Sequence, residues 1–204
     1  MTVLAAVVVA ACLYTPVDDI AFLYARYEWA PMFDNTGDFR WKDGVAAKRL
    51  GMDTKTYAIG GMEKRFIRLL ARAFYAMEVA GLDPTINSAY RDNYRQSIIT
   101  GGGANRPGKS FHGGSRVGGW GGGLAVDIVS AKATGATEKE RLVASAAIWK
   151  WIDQHGAHYG IGRPYRGGDP PHVTPTWSRE YTAIRGSPPT KALNRQAKKK
   201  VATR

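Results

Sequence analysis

The 204-residue chain has little cysteine, little histidine and no long apolar run. Its single cysteine, Cys12, excludes an internal disulfide framework and any zinc cluster built from several thiolates. Only four histidines exist, His112, His155, His158 and His172, so few imidazoles are on offer for metal or proton chemistry. The apolar run Val3 to Tyr14 is shorter than the ~20 residues that a membrane-spanning helix needs. Acidic residues are scarce as well, 17 against 29 Lys and Arg, which leaves a net charge of +12. That shortage is local. From Arg185 to Arg204 there are seven basic residues and no acid, and the other 184 residues carry 22 basic and 17 acidic side chains, or +5. The charge is mostly a property of the tail, whose triple-lysine run suits an anionic wall or membrane surface. No specific nucleic-acid motif accompanies it.

Glycine is what the chain has in excess. It holds 24 glycines, and 11 of them fall among the 23 positions from Gly101 to Gly123. No Gly-X-Y period accompanies them, which excludes collagen. A hydrophobic content of 44% with 22 aromatic residues excludes a disordered chain. The expected organisation is an apolar segment over 1–17, one domain over 18–184 and a basic tail over 185–204. Val3 to Tyr14 has the length of a signal-peptide apolar region, although no Lys or Arg precedes it. Val9-Ala10-Ala11-Cys12 has the form of a lipoprotein processing site, which would place a lipid on Cys12. Export to a periplasmic or extracellular location is therefore expected. A cytoplasmic or virion-associated protein is the alternative.

Asp18 to Trp29 reads as a short helix, and Met32 to Gly61 as a mixed stretch with turn signals such as Asp43-Gly44. Phe66, Leu70, Ala73, Phe74 and Met77 fall on one helical face, so Glu63 to Ala80 is the clearest helix. Gly81 then supplies its stop. Thr85–Tyr90 and Leu124–Ser130 read as strands. Thr137 with Glu140 forms a capping box for a second long helix, with Leu142, Ala146, Trp149 and Ile152 or Asp153 near one stripe. His172 to Thr174 is expected to be extended. Two long helices with short, irregularly placed strands indicate an α+β fold.

Asp127 sits inside the apolar run LAVDIVS, where a carboxylate is costly unless paired or bound to a cation. His112 lies in the glycine-rich segment, and His172 follows Asp169-Pro170-Pro171. Two imidazoles and a buried carboxylate are a catalytic zinc donor set, since three protein ligands leave one position open. His155 and His158, spaced H-x-x-H, are the competing metal ligands. Asp92 reads as a turn residue or an arginine partner. Arg163, Tyr165 and Arg166 either line a loop or meet an anionic substrate.

The order of these motifs is distinctive. Ser88-Ala89-Tyr90-Arg91 with Gln96, then Ser110-Phe111-His112, then Gly123-Leu124-Ala125-Val126-Asp127, then Asp169-Pro170-Pro171-His172, resembles the zinc D-Ala-D-Ala carboxypeptidases of the VanY and VanX type. The Hedgehog signalling domain is a more distant likeness. The resemblance spans roughly Leu69 to Thr174. It implies helices packed on a small antiparallel sheet, with Zn²⁺ held by His112, Asp127 and His172. It also implies Asp169 as general base and Arg91 as the group that holds substrate and steadies the oxyanion. Tyr90, Ser110 and Gln96 would support the substrate. The implied activity is hydrolysis of peptide bonds in peptidoglycan stem peptides, as a D,D-carboxypeptidase or endopeptidase. A non-catalytic zinc-binding or wall-binding domain of the same fold is the alternative.

Two departures from the family pattern stand out. His112 and Asp127 have fourteen residues between them where the family has six, and the extra segment carries Arg116 and Trp120 as a glycine-hinged flap. Asp169 replaces the usual Glu, one methylene shorter. If the tail is only an anchor, deleting Lys191 to Arg204 leaves hydrolysis of a small soluble peptide unchanged; a drop in that rate would assign the tail to the site.

Overall fold

Polar caps set the helix boundaries in the computed structural model, which describes residues 18–30, 40–99, 111–113, 122–134 and 137–186. The Asp18 carboxylate accepts from the backbone N–H groups of Ile20 and Ala21 and starts α1, Asp19–Glu28. Two helices occupy the stretch that reads in sequence as mixed: α2, Arg40–Arg49, and α3, Thr54–Ala58. The Asp43-Gly44 turn signal lies inside α2. Tertiary pairing overrides it, because the fully buried Asp43 carboxylate accepts from the Tyr27 hydroxyl and the buried Arg95 guanidinium. The predicted long helix is α4, Lys64–Val79, capped by the Glu63 carboxylate at the Phe66 N–H. Phe66, Leu70, Ala73, Phe74 and Met77 are all buried on it, as their spacing requires.

The remaining elements are β1, Pro84–Ser88; α5, Asn93–Ile99; β2, Val126–Ser130; α6, Glu138–His155; a 3₁₀ turn, Gly156–Tyr159; β3, Ile161–Gly162; β4, His172–Pro175; and α7, Arg179–Arg185. Helices α5 and α7 and strand β3 are too short to leave a periodic signature. The Thr137–Glu140 capping box starts α6 with both of its hydrogen bonds. Its buried face differs from the expected stripe. Leu142 and Ala146 are exposed, and Arg141, Ser145, Ile148, Trp149 and Ile152 face inward. Two polar contacts to the sheet set that rotation: the Trp149 indole N–H donates to the Ile128 carbonyl at 2.8 Å, and the Ser145 hydroxyl accepts from the Ser130 N–H at 3.1 Å.

The four strands form an antiparallel sheet in the order β1-β2-β4-β3, the small sheet expected of an α+β fold. Ser88 is opposite Asp127, and Asp127 is opposite His172. Paired residues share a face, so these three form one row across the sheet. Their neighbours Val126, Ile128 and Val173 alternate to the other face and join the core with Phe66, Phe74 and Met77. A one-residue slip of either pairing would send the row into the core.

The long insertion does not disturb this frame. Leu124 N–H donates to the Phe111 carbonyl, and Gly123 N–H to the Gly113 carbonyl, so the chain re-enters beside the point where it left. Arg116, Trp120 and the rest of the expected flap lie outside the described residues, as do the apolar N-terminal segment and the basic tail. Among the described residues no helix is long and apolar enough to cross a membrane.

Gly123 shows why glycine is needed at this re-entry. Its φ is +69°, and a Cβ there would lie 2.7 Å from the Gly61 carbonyl oxygen and 2.9 Å from the Met62 Cα. Gly123→Ala is expected to cost about 1–3 kcal/mol of stability. Urea unfolding reads this directly, and an unchanged midpoint would show that the close approach is not a constraint.

Candidate metal centre

The Ser88–Arg91 segment builds one wall of the site. Ser88 Oγ accepts from Arg91 Nε at 2.8 Å, and the Arg91 N–H donates to the His112 carbonyl at 3.0 Å. The His112 ring answers with Nδ1, which lies 2.7 Å from the Ala89 carbonyl. A carbonyl can only accept, so Nδ1 carries the proton and Nε2 keeps its lone pair. Tyr90 is buried, stacked edge-on against Tyr57 at 5.4 Å and placed directly over Gly61. It supports this wall from inside the core.

His112 Nε2 points at the other two expected ligands. It lies 3.2 Å from His172 Nδ1 and 3.4 Å from Asp127 Oδ1, and His172 Nδ1 lies 3.5 Å from the same oxygen. These separations match a tetrahedral site: with bonds of 2.0–2.1 Å, the donor–donor edge is about 3.3–3.4 Å. Asp127 Oδ1 is buried with no hydrogen bond, while Oδ2 accepts from Arg91 at 2.8 Å. An orphaned anionic oxygen facing two imidazole nitrogens suits a divalent cation. His112, Asp127 and His172 form the one group among the described residues that could hold a metal ion. His155 and His158 are apart from it, packed on Trp151 and Tyr159 respectively.

Asp169 stands at the edge of this group. Its Oδ2 is 3.8 Å from His172 Nδ1, and the side chain is half exposed. Burial, reinforced by the Asp127 charge, raises its pKa above the ordinary carboxylate value. The chain reaches this position because Arg163 staples the preceding loop, donating to the Pro170 carbonyl, the Arg166 carbonyl and the Asp153 carboxylate. Arg163 thus has a structural task, while the Tyr165 ring lies 5.6 Å from that of His172. Asp92 is an arginine partner as its sequence context suggests, buried between Arg49, Tyr57 and the N–H of Arg95. Gln96, on α5, has a buried carbonyl oxygen without a hydrogen bond among the described residues. Ser110 lies outside them.

One participant is absent from the sequence reading. Glu180 on α7 is buried, and its Oε1 lies 3.0 Å from His172 Nε2. In sequence it reads only as an acid in the first turn of a short helix, a common position that favours the helix dipole. No local signal marks it.

The electrostatics divide the two histidines. Burial, with Arg91 nearby, pushes His112 down to about 4. Burial also opposes charge on His172, but the Asp127 and Glu180 carboxylates on its two sides outweigh it and hold the ring up to about 10. The Asp127 carboxyl is held well below its usual range: burial works against its charge, and the two histidines and Arg91 more than offset that.

No family model matches the chain, and no curated protein matches it in sequence. Among the similar solved structures are two of VanY enzymes. A mutant of the vancomycin-resistance D,D-pentapeptidase VanY from a VanB-type cassette, in complex with Zn(II), is 19% identical over 56% of this chain and 72% of that chain, with a TM-score of 0.42. VanYB in complex with D-alanine-D-alanine is 18% identical over 70% of this chain and 83% of that chain, with a TM-score of 0.43. At such identity and overlap, the chemistry of the site rests on this chain's own residues.

Without metal at pH 7, His112 is neutral, Asp127 is charged and His172 carries a proton. His172 therefore stabilises the metal-free fold below its unfolded value near 6.5, and that contribution is lost as pH rises through about 10. Uptake of zinc at pH 7 should displace about one proton. Calorimetry in buffers of different ionisation enthalpy measures it, and zinc uptake without proton release would contradict the assignment of His172. His112→Ala, Asp127→Ala and His172→Ala should each abolish stoichiometric zinc by elemental analysis.

Proposed function

We propose that the protein is a zinc-dependent peptidase of peptidoglycan stem peptides, acting as a D,D-carboxypeptidase or endopeptidase. The observation that carries this is the convergence of His112 Nε2, Asp127 Oδ1 and His172 Nδ1 at tetrahedral separations, with the Asp169 carboxylate beside them. The class of substrate is what the resemblance of the Ser88–Arg91, His112, Asp127 and Asp169–His172 motif order to the D-Ala-D-Ala carboxypeptidases implies. Such a substrate is met outside the cytoplasm, in keeping with an exported protein.

His112, Asp127 and His172 would hold the ion, and a bound zinc supplies Lewis-acid polarisation of the scissile carbonyl and a more acidic water. The chain's own groups do the rest. Asp169, with its raised pKa, accepts the proton of the attacking water and returns it to the leaving amine nitrogen. Arg91 spends Nε on Ser88 and one Nη on Asp127, so it locks the carboxylate's orientation. Its remaining Nη serves the oxygen on which negative charge grows. The shorter Asp169 side chain is accommodated because the turn brings its backbone close: the Asp169 carbonyl accepts from the His172 N–H at 3.2 Å.

Asp169→Asn should retain one zinc per chain and lose about 10²–10⁴-fold in turnover. Mass spectrometry of muropeptides after incubation reads the activity. Loss of one terminal alanine identifies a carboxypeptidase, and cut cross-links identify an endopeptidase. Zinc-loaded protein that leaves every muropeptide intact would instead establish the non-catalytic binding domain.

A further inference from the structure

Helix α7 has an unusual interior. Short helices at a domain surface normally bury an apolar stripe, yet the one buried residue among Arg179–Arg185 is Glu180. Its side chain is 2% exposed. A carboxylate taken from water to that degree needs defined partners. It has the His172 ring at 3.0 Å through Nε2, and the Tyr165 phenol beside it. Burial, and then the Glu180 charge, push that phenol up to about 12, so Tyr165 is an O–H donor at every physiological pH.

The chain is folded specifically to deliver this carboxylate. After β4 it turns with the Ser178 N–H on the Pro175 carbonyl at 2.9 Å, and Ser178 Oγ then accepts from the Tyr181 N–H at 3.1 Å to start α7. The Ser178 hydroxyl also reaches back to Thr174 Oγ1 at 3.3 Å, tying the turn to the strand that carries His172. Glu180 therefore returns to a residue eight positions earlier, on the side of the ring away from Asp127 and His112.

We propose that Glu180 is the positioning residue for the metal ligand His172. By accepting from Nε2–H it fixes the ring's orientation, so that Nδ1 is the nitrogen aimed at His112 Nε2 and Asp127 Oδ1 and the one that gives up its proton to a metal ion. His112 is fixed by the same logic with the nitrogens exchanged, its Nδ1–H held by the Ala89 carbonyl. The two imidazoles thus present opposite nitrogens, each set by its outer partner. The proposal rests on the metal-binding half of the proposed function and not on peptide cleavage. Asp169 and Glu180 consequently have different tasks, one on the Nδ1 side at the mouth and one on the Nε2 side in the interior.

The test is zinc affinity, measured on the full chain by competition with a fluorescent chelator. Glu180→Ala should weaken zinc binding about 10–100-fold. Glu180→Gln, which keeps an acceptor oxygen at the same reach, should recover most of that loss. Affinity of Glu180→Ala within threefold of the unaltered chain would overturn the assignment and leave the peptidase proposal standing. Equal losses in the Ala and Gln variants would also overturn it, because the acceptor would then not matter. Should Glu180→Ala fail to fold, Glu180→Asp takes its place: retracting the carboxylate should weaken zinc more than Glu180→Gln does, and the reverse order would point to charge in place of the hydrogen bond. A folded, unaltered chain that takes up no zinc would sink the metal site itself, an outcome distinct from either of these.

Discussion

The site depends on one register. Ser88, Asp127 and His172 stand opposite one another on three adjacent antiparallel strands, so a single row of the sheet carries the arginine's anchor, the central carboxylate and one imidazole. Because side chains alternate, the same pairing sends Val126, Ile128 and Val173 into the core. The hydrophobic burial that stabilises the sheet is thereby the force that holds the polar row in place. The functional residues do not need to stabilise their own arrangement, which is unfavourable on its own: a carboxylate and two imidazoles withdrawn from water.

That cost is met by dense polar pairing. Three atoms on the outer side of the site have specific partners: Arg91 for Asp127 Oδ2, the Ala89 carbonyl for His112 Nδ1, and Glu180 for His172 Nε2. What remains is a convergent set of atoms on the inner side, with Asp127 Oδ1 left without a hydrogen bond. A second buried network, Asp43 with Tyr27 and Arg95 and Asp92 with Arg49 and Tyr57, ties α1, α2 and α3 to the start of α5. It lies on the segment that follows Arg91 directly, so the arginine's backbone is held from both sides.

The two departures from the motif pattern have local structural answers. An insertion between His112 and Asp127 is tolerated because its ends are hydrogen-bonded to each other at Phe111–Leu124 and Gly113–Gly123, which keeps loop length from reaching the ligands. Asp169, one methylene shorter than a glutamate, still brings its Oδ2 to 3.8 Å from His172 Nδ1, because Arg163 holds the loop that leads into β4. In both cases backbone hydrogen bonds compensate for a change that side-chain chemistry alone would not absorb.

What the sequence determined by itself was whatever depends on local order and periodicity. The face of α4, the starts of α1 and α4 near Asp18 and Glu63, the Thr137 capping box and the two central strands were legible from spacing and residue type, and His112, Asp127 and His172 were singled out as metal ligands by the order of motifs that resembles the carboxypeptidases. Helix α2 was hidden because its Asp43-Gly44 pair mimics a turn until Tyr27 and Arg95 bury the aspartate. The inward face of α6 was offset because hydrogen bonds to β2, not apolar spacing, set its rotation. Glu180 was invisible because an acid in a first helical turn is ordinary in sequence and becomes exceptional only when burial against His172 removes its water. Tertiary structure alone decided which nitrogen of each histidine faces inward, since that choice depends on outer partners 8 and 23 residues away in the chain.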